Sequence, residues 1–321
     1  MVLSLASVLG VIYGLKQIAQ DGVGPTATAS IAAGLVIGLF FARRQLRLRH
    51  PLIDLRLFRT PAFGVSVGTN ALGGFIAFGT FLYFAQYLQL VVGLSPWSAA
   101  LWTLPSSLAV VTSSLMAPAV VGRIRPALAA AGGLTLVAIG LGILAGVDAS
   151  SGLQLPVLGS IVFSLGLGPV FIVTTDLIVG TAPAEKAGAA SAISETGAEF
   201  GGAIGIAILG SIGAAIYRSR MLESIPDGLP LAAGETARDT LGGALGVAQQ
   251  LPERLGGGLV DAARDAFAAG MRMSLTISAL IAAFVAVLVG TKLRGVGAGS
   301  HDEAPAGPTP DCGLEPVTAE A

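Results

Sequence analysis

The chain has 321 residues, of which 53% are hydrophobic and only 12% charged, with a formal net charge of −1. A soluble globular domain carries about 25% charged residues, so this composition is that of a protein immersed in lipid. Near-neutral charge by itself says nothing about nucleic acid, but no basic stretch is interleaved with aromatics, so no nucleic-acid partner is expected. A single cysteine, Cys312, excludes a disulfide framework and a Cys-based zinc site. The two histidines, His50 and His301, lie far apart, so neither a metal centre nor any other cofactor is expected.

Apolar runs long enough to cross a hydrocarbon core of about 30 Å recur along the chain. Eight are expected, over residues 2–19, 26–42, 63–92, 98–121, 126–146, 154–181, 187–217 and 271–292. Turn-forming residues punctuate them, among them Asp21 and Gly22, the stretch Gly93 to Pro96, and Pro183. The first run has no positive flank after Met1, and a second apolar run follows it without a clear cleavage motif, so it does not read as a signal peptide. The expected fold class is an all-α multi-pass membrane protein of about eight transmembrane helices.

Lysine and arginine in short loops set the orientation. Arg43, Arg44, Arg47, Arg49, Arg56 and Arg59 place the segment 43–62 in the cytoplasm, and Arg123, Arg125, Lys186, Lys292 and Arg294 follow on the same side. The loops at Asp21, Leu94 and Asp148 then lie outside, as does the long stretch 218–270, and both termini are cytoplasmic. Within 218–270, Thr236 to Gln250 and Gly258 to Ala269 read as short amphipathic helices forming an external cap. Residues 294–321, rich in Gly, Pro, Ala and acids, read as a disordered tail.

The seventh run carries two carboxylates, Glu195 and Glu199, and none of the runs supplies an interior Lys or Arg to pair them. At 1.5 Å per residue they lie about 13 and about 19 Å from Lys186, near the bilayer midplane, and at 100° per residue they share a face that continues through Gly202 and Ile206. A lone carboxylate there costs about 2.5–3.5 kcal/mol unless paired, hydrated or protonated. Two one turn apart titrate as a coupled pair, able to hold a proton and release it when a cation arrives. The competing reading is a polar groove in which both merely bond neighbouring helices. Gly197, Gly201 and Gly205 form a separate stripe of small residues on which a second helix can pack closely.

Asp176, about 9 Å inside the end of the sixth run beside Thr174 and Thr175, reads either as a solvated interfacial acid or as the inner mouth of a proton path. In the third run, Tyr83, Gln86 and Gln89 are candidates to line a cavity for a flat cation, with Tyr87 either joining them or anchoring at the interface. Asn70 and Trp102 are further cavity candidates. Pro105, Pro118 and Pro169 interrupt helices, and Gly166, Leu167, Gly168 and Pro169 make the best hinge candidate. No phosphate loop or nucleophile constellation is present, so no enzyme is expected.

The stretch Gln86-Tyr87-Leu88-Gln89, followed by Gly93-Leu94-Ser95-Pro96 and Leu101-Trp102-Thr103-Leu104-Pro105, resembles a signature of the 14-helix drug:proton antiporters. These are a branch of the major facilitator superfamily that includes multidrug and quaternary-ammonium exporters. Further matches are Ala182-Pro183-Ala184-Glu185-Lys186-Ala187-Gly188, Ser194-Glu195-Thr196, Gly201-Gly202-Ala203-Ile204-Gly205, and Pro51-Leu52-Ile53-Asp54-Leu55-Arg56-Leu57-Phe58-Arg59. The stretches Leu241-Gly242-Gly243-Ala244 and Asp261-Ala262-Ala263-Arg264 are similar to bacterial members.

The resemblance implies two central linker helices over 1–42 and the C-terminal six-helix half over 63–293. The family's first six helices, with their loop and antiporter motifs, have no counterpart, as in a truncated reading frame or split gene. It implies proton-coupled efflux of lipophilic, cationic drugs across a bacterial plasma membrane, together with a separate N-terminal six-helix half. The alternative is a non-transporting remnant or accessory membrane protein that needs a partner.

Overall fold

The computed structural model describes residues 2–21, 24–47, 57–58, 60–225 and 229–292. Much of the basic 43–62 segment, the Pro51-to-Arg56 stretch, His50, His301, Cys312 and the 294–321 tail lie outside the described residues. The described chain is helical throughout. Its helices are α1 (Val2–Asp21), α2 (Pro25–Arg47), α3 (Pro61–Gln86), α4 (Pro96–Val121), α5 (Pro126–Ala145), α6 (Gln154–Gly180), α7 (Ala187–Ser224), α8 (Leu231–Asp239), α9 (Leu241–Ala248) and α10 (Glu253–Lys292).

Among the described residues, seven helices are long and apolar enough to cross a membrane, against the eight expected. The shortfall is α1, whose apolar stretch, Leu3–Ile18, is shorter than the rest because Lys16, Gln17 and Gln20 make its last turns polar. Helix α2 runs on to Arg47, so Arg43, Arg44 and Arg47 belong to a helix rather than a loop. There they oppose the partial negative charge of its C-terminal end.

The starts of the central helices follow from their sequence. Pro61, Pro96 and Pro126 each stand in the first turn, where a missing N–H leaves nothing unsatisfied. Ser95 caps α4 by accepting from the Ser98 amide at 3.2 Å. Helix α3 ends in a wider π turn over Tyr87–Val91, and Gly93 reverses the chain at a φ of 82°, a conformation that a Cβ disfavours.

Lipid tails give apolar helices no reason to prefer each other over the bilayer, so close association relies on small residues. Helix α6 lies between α4 and α5, α3 packs along α7, and α10 spans α5 and α7. A Cβ on Gly168 would meet Ser113 and Ser114 of α4, and one on Gly166 would meet Gly133 and Val137 of α5. The expected hinge segment is therefore packed on both sides, inside a continuous helix in which Pro169 withholds one backbone N–H. Helix α1 packs on α2 and also on α7.

The cap differs from the expected pair of surface helices. Thr240, in extended conformation, breaks the first into α8 and α9, and its Oγ1 accepts from the Gly243 amide at 3.0 Å. The second is fused into α10, which has 40 residues, while α7 has 38. At 1.5 Å per residue these are about 57–60 Å long, roughly twice a hydrocarbon core. The main core runs without a break from Phe163, Leu209 and Leu275 through Met221 and Leu259 to Ala237, Leu241 and Ala244. Tyr217 Oη donates to the Ala237 carbonyl at 2.8 Å and ties α8 to α7.

Candidate substrate and proton site

Glu195 and Glu199 both stand exposed on α7, and among the described residues neither forms an ion pair. The open face continues through Ile206, which is 40% exposed. It does not continue through Gly202 as expected, because Gly202 is buried with the Phe78 ring close above the position a side chain would take.

A separate side of α7 is the packing side. A Cβ on Gly201 would overlap the Ala71 carbonyl, one on Gly205 the Phe75 carbonyl, and one on Gly74 of α3 the Ala198 carbonyl. The backbones of α3 and α7 thus touch over about two turns. Gly197 lies outside this seam, since its nearest neighbour is Val67 Cγ1 at 3.9 Å.

Where the seam ends, three helices share a buried polar node. Asn70 of α3, 2% exposed, donates from Nδ2 to Ser194 Oγ of α7 at 2.7 Å and to Thr175 Oγ1 of α6 at 3.4 Å. The two hydroxyls are 3.2 Å apart. Each directly precedes an exposed acid, Thr175 before Asp176 and Ser194 before Glu195. Asn70 is thus an interior residue rather than an open cavity wall. Ser194 was expected only as part of the Ser194-Glu195-Thr196 match and not as a site residue; the available signal was a hydroxyl immediately before two of the three intramembrane acids, Asp176 and Glu195.

Tyr83 is also interior. It is 6% exposed, and its Oη donates to the Leu209 carbonyl at 2.6 Å and lies 3.0 Å from Ser274 Oγ, which donates to the same carbonyl. Its ring leans on Phe267 at 6.1 Å between centroids. The polar end of Tyr83 thus joins α3, α7 and α10 and faces no opening. Tyr87 is buried too, donating to the carbonyls of Asp148 and Gly152 at 3.0 and 3.2 Å and so fixing the turn between α5 and α6. Of the amides, Gln86 is half-buried and Gln89 exposed, both at the π turn. Trp102 is 41% exposed on α4. Among the described residues no group of acids, histidines or cysteines could hold a metal ion.

No protein-family model matches the chain. It is 36% identical over 293 residues to the multidrug efflux pump LfrA of Mycolicibacterium smegmatis, which covers 91% of this chain and 58% of that protein. It is 31% identical to the tetracenomycin C resistance and export protein of Streptomyces glaucescens, over 86% of this chain and 53% of the relative. With the methyl viologen resistance protein SmvA of Salmonella typhimurium it shares 35% identity over 74% of this chain and 47% of the relative. In structure it resembles a bacterial homologue of the human lysosomal transporter Spinster, solved inward-facing and unoccupied, with a TM-score of 0.56 and 18% identity over 90% of this chain and 66% of that one.

The fold is that of a multi-pass transporter. The chain's homologues are multidrug efflux pumps of the major facilitator superfamily, and its pattern is consistent with the 14-helix branch. The chain spans about half the length of the curated relatives it matches.

Proposed function

We propose that this chain supplies two linker helices and the C-terminal six-helix half of a proton-coupled exporter of lipophilic cations in a bacterial plasma membrane, with both ends of the chain in the cytoplasm. The observation that carries the reading is the unpaired pair Glu195 and Glu199 on the open side of α7, on a different face from the glycine seam, in a homologue of efflux pumps. One side of the helix is fixed to α3, so the other is free to line a cavity against a second half. Carboxylates there can carry a proton in one state and face a cation in the other. The relatives named for methyl viologen and tetracenomycin C resistance support substrates of more than one kind, an organic cation among them. The cationic kind suits two acids best.

In this reading alternating access comes from rocking against an N-terminal six-helix half. Asp176, nearer the inner end of α6, stands at the cytoplasmic mouth of the proton route. Trp102, Gln86 and Gln89 border the substrate space, and Gly201, Gly205 and Pro169 act through packing. The test is reconstitution in liposomes with and without an N-terminal half. Drug-dependent proton movement is expected only with both halves present. Full proton-driven efflux by residues 1–321 alone would overturn the need for a partner, and a lack of drug-dependent proton movement with both halves would overturn the coupling.

A further inference from the structure

The buried node around Asn70 holds more polar capacity than the protein satisfies. Among the described residues Asn70 Oδ1 receives no hydrogen bond, although the side chain is 2% exposed. One turn earlier on the same face of α3, Ser66 Oγ is fully buried and also without a partner. A buried polar atom left unsatisfied costs about 1–3 kcal/mol, and two within one turn need an explanation. Reversing the amide only exchanges an unsatisfied acceptor for an unsatisfied donor.

The surroundings define what fits. Towards the inner end the node is closed by an apolar plug of Phe63, Ile178, Ala190 and Ile193. On its side lies Thr175, half-buried, whose neighbour Asp176 is exposed. The node thus reaches the surface sideways, towards the acids. A buried water is held by two to four polar partners, and Ser66, Asn70, Thr175 and Ser194 supply that number. Helix α3 contributes no charged group; the charges on the packed elements are Asp176 on α6 and Glu195 and Glu199 on α7, with Glu185 and Lys186 just before α7 and Arg218, Arg220 and Glu223 at its far end.

We infer that Ser66, Asn70, Thr175 and Ser194 form an internal water site, a hydrated branch that passes protons between the Asp176 surface and the Glu195 face. A proton accepted by the water on one side is matched by one released on the other, so only O–H bonds exchange and no group changes oxidation state. The hydration stands on the geometry alone, while the proton role rests on the proposed exporter function.

The experiment uses the full chain with Cys312→Ser and a single cysteine at Ser66 or, as a dry control, at Ala77, a 5% exposed residue of the same helix. Thiols ionise and react with a small cationic methanethiosulfonate only where water reaches them. Ser66→Cys should react many times faster than Ala77→Cys, and adding Asn70→Leu should slow it to the control rate. Equal reactivity at the two positions, fast or slow, overturns the water site. Protection by sodium but not by choline overturns water in favour of a monovalent cation.

In the two-half assembly Asn70→Leu should slow drug-driven proton release several-fold with drug affinity kept, and an unchanged rate overturns the proton role. Absence of proton release from the unmodified assembly is instead a failure of the exporter reading, and the labelling result stands apart from it.

Discussion

Tyr83 donates from its hydroxyl to the carbonyl of Leu209 across 2.6 Å, linking α3 to α7 at residues 126 apart in sequence. Ser274 of α10 donates to the same oxygen, so the carbonyl keeps one partner when Tyr83 is lost. Tyr83→Phe should therefore cost only about 0.5–1.5 kcal/mol. Tyr83→Ala, which also empties core volume, should cost about 3–5 kcal/mol. Melting in detergent checks both. Drug affinity should not change in Tyr83→Phe, since the hydroxyl faces no cavity.

The glycine seam predicts a contrast on one helix. Gly201→Ala puts a methyl into the Ala71 carbonyl, and only backbone movement can relieve it. Overpacking of this kind costs about 1–3 kcal/mol, and the yield of folded protein should fall. Gly197→Ala meets only Val67 at 3.9 Å and should be neutral or gain up to about 1 kcal/mol from helix propensity. Thermal shifts of the two variants, measured side by side, separate a seam from a uniformly small-residue helix.

Asp148 offers a pH test outside the membrane spans. The hydroxyls of Ser150 and Ser151 and the Ser150 amide bond its carboxylate and hold it below the usual carboxylate range. A depressed folded value means that the turn's stabilisation is present above the ordinary carboxylate range and lost as pH falls through the folded value. Titration of Asp148 followed by NMR should give a midpoint below about 3.9, and Ser150→Ala with Ser151→Ala should raise it towards that value. Identical midpoints with and without the serines would remove these bonds as the cause.

The cap predicts a labelling pattern. Cysteines at Ser95, Ser151 and Gly242 should react with an impermeant reagent from outside intact cells, and those at Arg125 and Glu185 only after permeabilisation. Because Tyr217, Met221 and Leu259 are buried and join the cap to the core, Tyr217→Phe should lower the melting temperature of the whole chain rather than release the cap alone. A separate low-temperature transition for the cap would contradict that continuity.

The spans were legible because apolar length is nearly sufficient to specify a membrane helix, and the Gly201 and Gly205 pattern because small residues four apart leave a visible stripe. The reach of α7 and α10 beyond the lipid was not. Arg218, Asp261 and Arg264 look like loop or cap residues on a hydropathy scale, while the helical backbone continues beneath them. Thr240 carried a capping signal that the periodicity of its neighbours masked. For the site, Glu195 and Glu199 stood out as charges without partners. Tyr83 and Tyr87 did not show their roles, because an aromatic with a polar tip suits a cavity wall or an interior bond equally well, and only the approach of Leu209, Ser274 and Asp148 decides between them. Ser194 and Ser66 were silent for the same reason, small hydroxyls whose meaning depends on what stands opposite.

The central claim is that Glu195 and Glu199 carry the exchange between proton and drug. Its most direct measurement is proton release on adding a dicationic drug to the assembly of both halves, followed at several pH values, with Glu195→Gln and Glu199→Gln combined. The substitutions keep shape and hydrogen bonding but cannot ionise, so release should vanish while melting and membrane insertion stay as in the unmodified protein. If the folded double variant still releases protons with an unchanged pH midpoint, the coupling site lies elsewhere and the account fails.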